Sequence, residues 1–369
     1  MSLKSFQDLI NDVHDKGICQ ECGGCVSFCS SADFHIIDFI DQYSPPVYVK
    51  KEECLECGIC HYICPQTRAS DYDLNKSFTF SDYNSMPLGP YYEIYSCQST
   101  DSKFLKYGSD GGVVNSIINF LIEKKQIDGA IVAKIESPFS RKASFVNNKE
   151  DLLKSSGAFL NIFSHLTEVQ KVSTYTHTIP ELKKYSSNKL AVVGTPCQIY
   201  TMRGMQELGV TPSQNIEVCL GLFCFENFLF DKPQIEKFEK DFNIQLVNIK
   251  KVNIKEDLII TLKDNKKIHI PFNHLNEYMR SACNACNDFT NIYADLSFGG
   301  LGSPDKYTTV IVRTKKGKEI ISNAISAGVI KKLNLDDLRK KKQIELLIQF
   351  SKLKIQRYQK FTKNIRKAL

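Results

Sequence analysis

Two stretches decide how this chain is read: CQECGGCVSFC over residues 19–29 and CLECGICHYICP over residues 54–65. Each spaces its cysteines C-x2-C-x2-C-x3-C, and the second run repeats the first 35 residues later. Three thiolates so spaced wrap one face of an iron–sulfur cubane while loop amides point at its sulfides. A fourth, three residues further on, reaches more readily across to a neighbouring cubane. The spacing therefore assigns Cys19, Cys22, Cys25 and Cys64 to one [4Fe–4S] cluster, and Cys54, Cys57, Cys60 and Cys29 to another. Gly23, Gly24 and Gly58 suit the close backbone approach. Zinc is the competing reading, but zinc usually takes two separated C-x2-C pairs. His61 is expected as a solvated neighbour of the second cluster, and Asp33 and Asp38 as solvated surface.

This head, about residues 15–70, resembles a bacterial-type two-cluster ferredoxin domain, with Ser30 where that pattern usually has proline. A short helix over 3–16 precedes it. FHIIDFIDQYSPPVYVK (34–50) reads as two short strands about Ser44-Pro45-Pro46.

The rest of the chain is much longer. At 369 residues, with 42% hydrophobic and 24% charged residues, it has ordinary globular composition, which excludes global disorder. The most apolar stretch, VCLGLFCFENFLF (218–230), carries Glu226 and Asn227, which argues against a membrane span. The amphipathic, acidic N-terminus does not read as a signal peptide, so a cytoplasmic protein is expected. Eight of the fourteen cysteines lie in the two tight runs, favouring ligation in a reducing compartment over disulfides. The net charge of +7 is uneven: residues 1–75 hold 5 Lys/Arg and 12 Asp/Glu, whereas residues 339–369 hold 11 Lys/Arg and one acid. Such asymmetry suggests separate partners and no uniform nucleic-acid face. The basic tail, with Leu346, Phe350, Leu353 and Tyr358 at roughly helical spacing, is expected as a surface helix. Docking on a partner subunit or on an anionic membrane surface is its alternative role.

Residues 71–90 are polar and turn-rich and read as a linker. Strands and helices then alternate, giving an α/β body with a mixed sheet. YYEIYSC, DGAIVAKI, KLAVVGT, NIEVCLGLFC, ADLSFGG and TTVIVRT read as strands. Helices are expected from the glycines at 111–112, from Pro196, up to about Lys240, and over KGKEIISNAISAG. Residues 247–272 read as a β-meander turning at Asp264-Asn265. Neither a dinucleotide fingerprint nor a P-loop is present. Ser109-Asp110-Gly111-Gly112 opens a helix, where free amides favour a phosphate, although a plain cap explains it equally well. Gly299-Gly300-Leu301-Gly302 follows a strand and is either a turn or a close approach to a cofactor. Cys197 and Cys224 fall at strand ends, where sites gather in α/β sheets. With the spaced pair Cys283 and Cys286 they could hold a third cubane; buried apolar thiols are the alternative. Cys97 and Cys219 read as buried strand residues.

The ordered set SDGGVV (109–114), GTPCQ (194–198), GLFC (221–224), CNACNDF (283–289), ADLS (294–297) and GGLGSP (299–304) resembles the beta subunit of coenzyme F420 hydrogenases and dehydrogenases over roughly residues 88–330. With the ferredoxin-like head in front, it looks most like the electron-input subunit of the F420H2 dehydrogenases. The resemblance implies FAD, with Ser109, Asp110, Gly111, Gly112, Val113, Gly194, Thr195, Pro196, Gln198, Gly299, Gly300 and Gly302 near it. It implies a third [4Fe–4S] cluster on Cys197, Cys224, Cys283 and Cys286. It also implies hydride transfer from reduced F420 to FAD, then single electrons through the clusters to an electron-accepting partner subunit or complex, peripheral at the membrane in some cases. No catalytic acid or base is required. Arg203, Arg280 and Lys306 flank the motifs and are candidates to steer the anionic coenzyme tail. The expected units are a two-cluster ferredoxin domain (1–72), a linker (73–90), an FAD- and F420-binding body (91–333) and a basic helical tail (334–369). Two alternatives remain: a ferredoxin-linked flavoenzyme acting on another small redox substrate, and a non-catalytic electron relay.

Overall fold

The computed structural model describes residues 4–41, 43–78, 87–137, 140–157, 162–163, 189–254 and 257–368. In the head, α1 (Phe6–Leu9) starts at a capping box between Ser5 and Asp8 and runs into a π-helical turn over Ile10–His14. It buries Phe6, Leu9 and Val13. The cysteine repeat is also a backbone repeat. Glu21 and Glu56 both sit at φ 51°, and Gly23 and Gly58 at φ 81° and 76°, just ahead of α2 (Gly24–Ser31) and α3 (Ile59–Tyr62). Glycine adopts this left-handed backbone without the Cβ penalty. Between the repeats, β1 (Ile37–Asp38) pairs antiparallel with β2 (Val47–Tyr48).

The expected linker is not all linker. Asp71–Ser77 forms α4, because Leu74 is fully buried and Tyr62 donates to Asp73. Residues 79–86 of that stretch lie outside the described residues.

The body alternates as the sequence predicts. In chain order it contains β3 (Glu93–Ser99), α5 (Ser102–Tyr107), α6 (Val113–Glu123), β4 (Gly129–Ser137), β5 (Ser140–Val146), α7 (Lys149–Lys154), β6 (Ile162–Phe163), β7 (Leu190–Gly194), α8 (Pro196–Leu208), β8 (Ile216–Leu222) and α9 (Lys232–Phe242). Then come the meander strands β9 (Ile249–Ile254), β10 (Asp257–Leu262) and β11 (Lys267–Pro271), followed by β12 (Leu296–Gly299), β13 (Thr308–Val312), α10 (Lys315–Ser326), β14 (Ile330–Lys332) and α11 (Asp337–Ala368). Among the described residues the main sheet has nine strands in the order β14-β3-β13-β12-β8-β7-β4-β5-β6. The central strands β12, β8, β7 and β4 run parallel, and β7 is buried along its whole length, as strands covered on both faces are. β9–β11 form a separate antiparallel sheet. It has its own core, which includes Phe228, Phe238, Leu258 and Ile260.

One apolar cluster joins head to body: Phe6, Ile63 and Leu74 share it with Val192, Ile199, Met202 and Met205. The head therefore rests on β7 and α8. Helix α11 is not a free surface tail. Its buried face is Gln343, Leu347, Ser351 and Lys354, whereas Leu353, expected on the apolar stripe, is 45% exposed. Gln343 and Lys354 occupy that face because they meet polar partners, whereas among the described residues the Ser351 hydroxyl meets none. The Gln343 amide donates to the hydroxyls of Ser96, Ser303 and Thr309.

Candidate functional site

The carboxyl ends of β7, β8 and β12 lie side by side, with Gly194 opposite Gly221 and Leu222 opposite Phe298. Gly221 leaves room for Asn291, since a Cβ there would stand 2.4 Å from the Asn291 side chain. The Asn291 amide bridges the Gly194 and Leu222 carbonyls at 2.9 and 3.2 Å and fixes the strand ends.

From this edge the chain delivers four thiols to one cavity. Cys197 is the second residue of α8, held by the capping box of Thr195 and Gln198. Cys224 leaves β8. Cys283 belongs to the tight turn Ser281–Ala285, with Cys286 next to it. All four line one cavity with Cys22, Pro196, Asn227 and Lys354. Burial pushes the Cys197, Cys224 and Cys283 thiols up, Cys224 to about 12. Neighbouring thiols add to the rise, while Lys354 opposes it at Cys224 and Cys283. The Asn227 backbone N–H donates to the Cys283 sulfur at 3.2 Å.

The head cysteines act on one another across the two runs. The Cys19 thiol is pushed up by burial and then by the charges of Cys64 and Cys22, and Cys64 to about 12 by burial and by Cys22. Cys29 is raised by burial and by Cys57 and Cys54. The fourth cysteine of each run therefore faces the other run. Cys57 is exposed. Cys19, Cys22, Cys25 and Cys64 line a cavity together with His14 and with Cys60 of the second run. Among the described residues no three His, Cys, Asp or Glu side chains converge closely enough for a single metal ion. A cubane, carrying four irons, spaces its thiolates more widely.

Next to the four body thiols lies a cleft with two chambers. The outer, about 200 Å³, is walled by Phe223, Phe225, Phe289, Phe298 and Phe350, with Ile254 and Phe272 from the meander side. The inner, about 140 Å³, reaches Gly112, Val113, Val114 and Asn115 at the start of α6. Ser109, Asp110 and Gly299 border both, and Gly300 the outer. The loop before α6 is carried by β9: the Lys251 ammonium donates to Gly108 O at 2.9 Å and the Asn253 amide to Ser109 O at 2.6 Å. Thr195, Cys224 and Asn227 line both the outer chamber and the four-cysteine cavity.

Other expected residues serve the frame. A Cβ on Gly111 would stand 2.6 Å from Cys97 O, so this glycine lets the loop cross β3. Gly194 lies against Gln198, whose side chain accepts from Thr195 N at 2.8 Å; with Pro196, Gln198 borders the cysteine cavity and not the cleft. Gly302, at φ 84°, faces Gln343 of α11. Arg203 pairs with Asp295 at 2.9 Å and Arg280 with Glu21 at 2.5 Å, both buried, so neither is available to an anionic tail; Lys306 is exposed. His61 is not solvated: it meets Asp12 at 3.1 Å with a side chain 11% exposed. Cys97 and Cys219 are buried in β3 and β8 as expected. Sequence reasoning missed Lys354, Arg357, Asn227, Thr201 and Asn291. Asn291 lies between the CNACNDF and ADLS motifs at φ 64°, a left-handed backbone that asparagine tolerates better than most residues.

The family comparison fits this arrangement. Residues 94–171 match the family model for the coenzyme F420 hydrogenase/dehydrogenase beta subunit N-terminal part, and residues 187–338 match that for its C terminus. The chain belongs to the coenzyme F420 hydrogenase/dehydrogenase beta-subunit family. It is 30% identical to a coenzyme F420-dependent sulfite reductase of Methanocaldococcus jannaschii, over 91% of this chain and 50% of that protein, so it spans half of that relative. It is 30% identical to a coenzyme F420 hydrogenase subunit beta of Methanothermobacter thermautotrophicus, over 76% of this chain and 96% of the relative. A chain of the F420-reducing [NiFe] hydrogenase complex of Methanosarcina barkeri superposes with a TM-score of 0.67 at 28% identity, covering 76% of this chain and 94% of that one. These relatives of the family member are F420-dependent oxidoreductases or their subunits. The head lies outside both matched family regions. Among the described residues no helix is long and apolar enough to cross a membrane.

Proposed function

We propose that this chain is an F420H2 dehydrogenase-type electron-input protein. It would oxidise reduced F420, hold FAD in the two-chambered cleft and [4Fe–4S] clusters at its three cysteine groups, and hand electrons to a partner protein. One observation carries the reading: the cleft and the four-cysteine cavity share the wall formed by Thr195, Cys224 and Asn227. A flavin accepts a hydride's electron pair and gives the electrons up singly, which is what iron–sulfur clusters can carry.

The residues fit those groups. Gly112, at φ 68°, leaves the start of α6 without a side-chain cap, so the first-turn amides of Val113–Asn115 suit a diphosphate. The Asp110 carboxylate would repel phosphate and suits ribityl or ribose hydroxyls. The phenylalanine wall suits an aromatic ring system and excludes water from it. Ile254, Phe272 and Phe350 border the outer chamber, where the substrate ring would enter. Burial raises the Cys197, Cys224 and Cys283 thiols, so iron held there would displace their protons.

The head, 1–72, is proposed as a two-cluster ferredoxin domain joined through 73–90 to the body, 91–333. Because Cys22 borders the four-cysteine cavity, the Cys19, Cys22, Cys25 and Cys64 group lies next to the body. The exposure of Cys57 supports a partner-facing role for the Cys29, Cys54, Cys57 and Cys60 group.

The test is anaerobic isolation followed by mixing with F420H2 and a viologen dye. Expected results are stoichiometric FAD released on denaturation, iron and sulfide for three clusters, and dye reduction as F420H2 is consumed. Iron without flavin and without F420H2 oxidation would reduce the chain to a relay. A second reading is favoured by the sulfite reductase alignment, which takes in more than half of the head. On it the chain is the input part of a reductase whose terminal site lies on another protein. Reduced F420 is then consumed only when that partner and its substrate are added.

A further inference from the structure

We infer that Lys354 is the built-in counter-charge of the four-cysteine centre, a cation that α11 inserts beside Cys224, Cys283 and Cys286 to raise that centre's reduction potential. The inference rests on the proposed cluster at those thiols.

Lys354 is 1% exposed and lines the same cavity as all four cysteines. Its ammonium donates to the Cys224 carbonyl. The groups whose charges act on it are Cys286, Cys224, Cys283, Arg357 and Glu226. Arg357, one turn on, is already matched. It pairs with Glu226 at 2.6 Å, donates to Phe225 O at 2.6 Å and lies over the Phe225 ring. Lys354 has no such match: among the described residues no carboxylate stands within 4.0 Å of its nitrogen.

Burying an ammonium is costly unless negative charge lies close by. One neutral carbonyl does not supply it. Four thiolates around iron do, because a cysteine-held cubane is a net anion in both oxidation states. A fixed cation favours the more negative, reduced state, and burial leaves its field largely unscreened by salt. If packing alone shaped this face of α11, an apolar side chain would serve, as Leu347 does two turns earlier.

The experiment compares Lys354→Met and Lys354→Arg with the unaltered full-length chain, each isolated anaerobically with its clusters. EPR-monitored redox titration follows the signal that disappears in Cys286→Ser. Lys354→Met should lower the midpoint so that the reduced-to-oxidised ratio at fixed potential falls at least about tenfold, which is 59 mV for a one-electron couple. Lys354→Arg should stay within about threefold. If Lys354→Met loses this centre's iron while Lys354→Arg keeps it, the charge assignment is likewise supported. Loss of iron from both variants, or full iron in Lys354→Met with a ratio within threefold of the unaltered chain, overturns it. An unaltered chain showing no signal that depends on Cys286 overturns the cluster reading itself, a distinct outcome.

Discussion

The Thr201 hydroxyl stands 3.8 Å from the Cys22 sulfur, so α8 of the body touches a cysteine of the head through one side chain. The same hydroxyl donates to the Cys197 carbonyl at 3.0 Å, so its one proton reaches the Cys22 sulfur only as the weaker arm of a bifurcated bond. Thr201 therefore lies between Cys22 of one cysteine group and the backbone of Cys197 of the other.

Hydrogen bonds to ligating sulfurs raise cluster potentials. Thr201→Val removes the hydroxyl at nearly constant shape. It should lower the midpoint of the proposed head cluster that includes Cys22 and leave iron content unchanged, while Thr201→Ser preserves the midpoint. Potentiometric EPR on the three proteins checks this, and equal midpoints would remove the sulfur contact from the account.

Glu21 and Arg280 tie head to body across 259 positions of sequence, with side chains 10% and 4% exposed. Breaking a buried pair from one side strands the other charge, at about 3–5 kcal/mol. Glu21→Gln should therefore lower the denaturation midpoint strongly and expose the head to early proteolysis. Surface pairs such as Lys341 with Glu345 should contribute under about 1 kcal/mol when removed. Denaturant titration with limited proteolysis separates the two cases.

Much of this was legible in the sequence because it is periodic. The doubled cysteine run, the alternating body and the meander each announce themselves through spacing. The face of α11 did not, because its buried positions include Gln343 and Lys354, whose partners Ser96, Thr309 and Cys224 are distant in sequence. Hydrophobic periodicity then pointed at Leu353, which is largely exposed. Arg203 and Arg280 misled for a related reason. They flank motifs, but the acids that neutralise them, Asp295 and Glu21, lie on other elements.

Gly299 tests the cleft apart from the clusters. A Cβ there would stand 2.0 Å from the Phe223 ring, which must shift. Phe223 walls the outer chamber, so its displacement narrows the space for a ring. Gly299→Ala should keep its iron yet retain several-fold less flavin, read from the visible spectrum and from FAD released on denaturation. Undiminished flavin would mean that the chamber is not where the ring sits.

His14 supplies a pH test. Burial depresses it from 6.5 to about 4, partly offset by Asp15, and its ring meets Phe6 edge-on at 5.6 Å. The unfolded chain thus takes up a proton below about 6.5 that the folded head refuses until about 4. Stability from this group is complete above pH 6.5 and is lost progressively as pH falls toward 4. His14→Phe keeps a ring against Phe6 and cannot titrate. Any acid lability of the proposed clusters is common to both proteins, so the difference between them isolates His14. Urea midpoints measured anaerobically at several values between pH 7 and pH 5 should fall more steeply in the unaltered chain than in His14→Phe. Parallel slopes would show that the imidazole takes its proton in the folded head as readily as in the unfolded chain, and that its burial is not what the packing against Phe6 indicates.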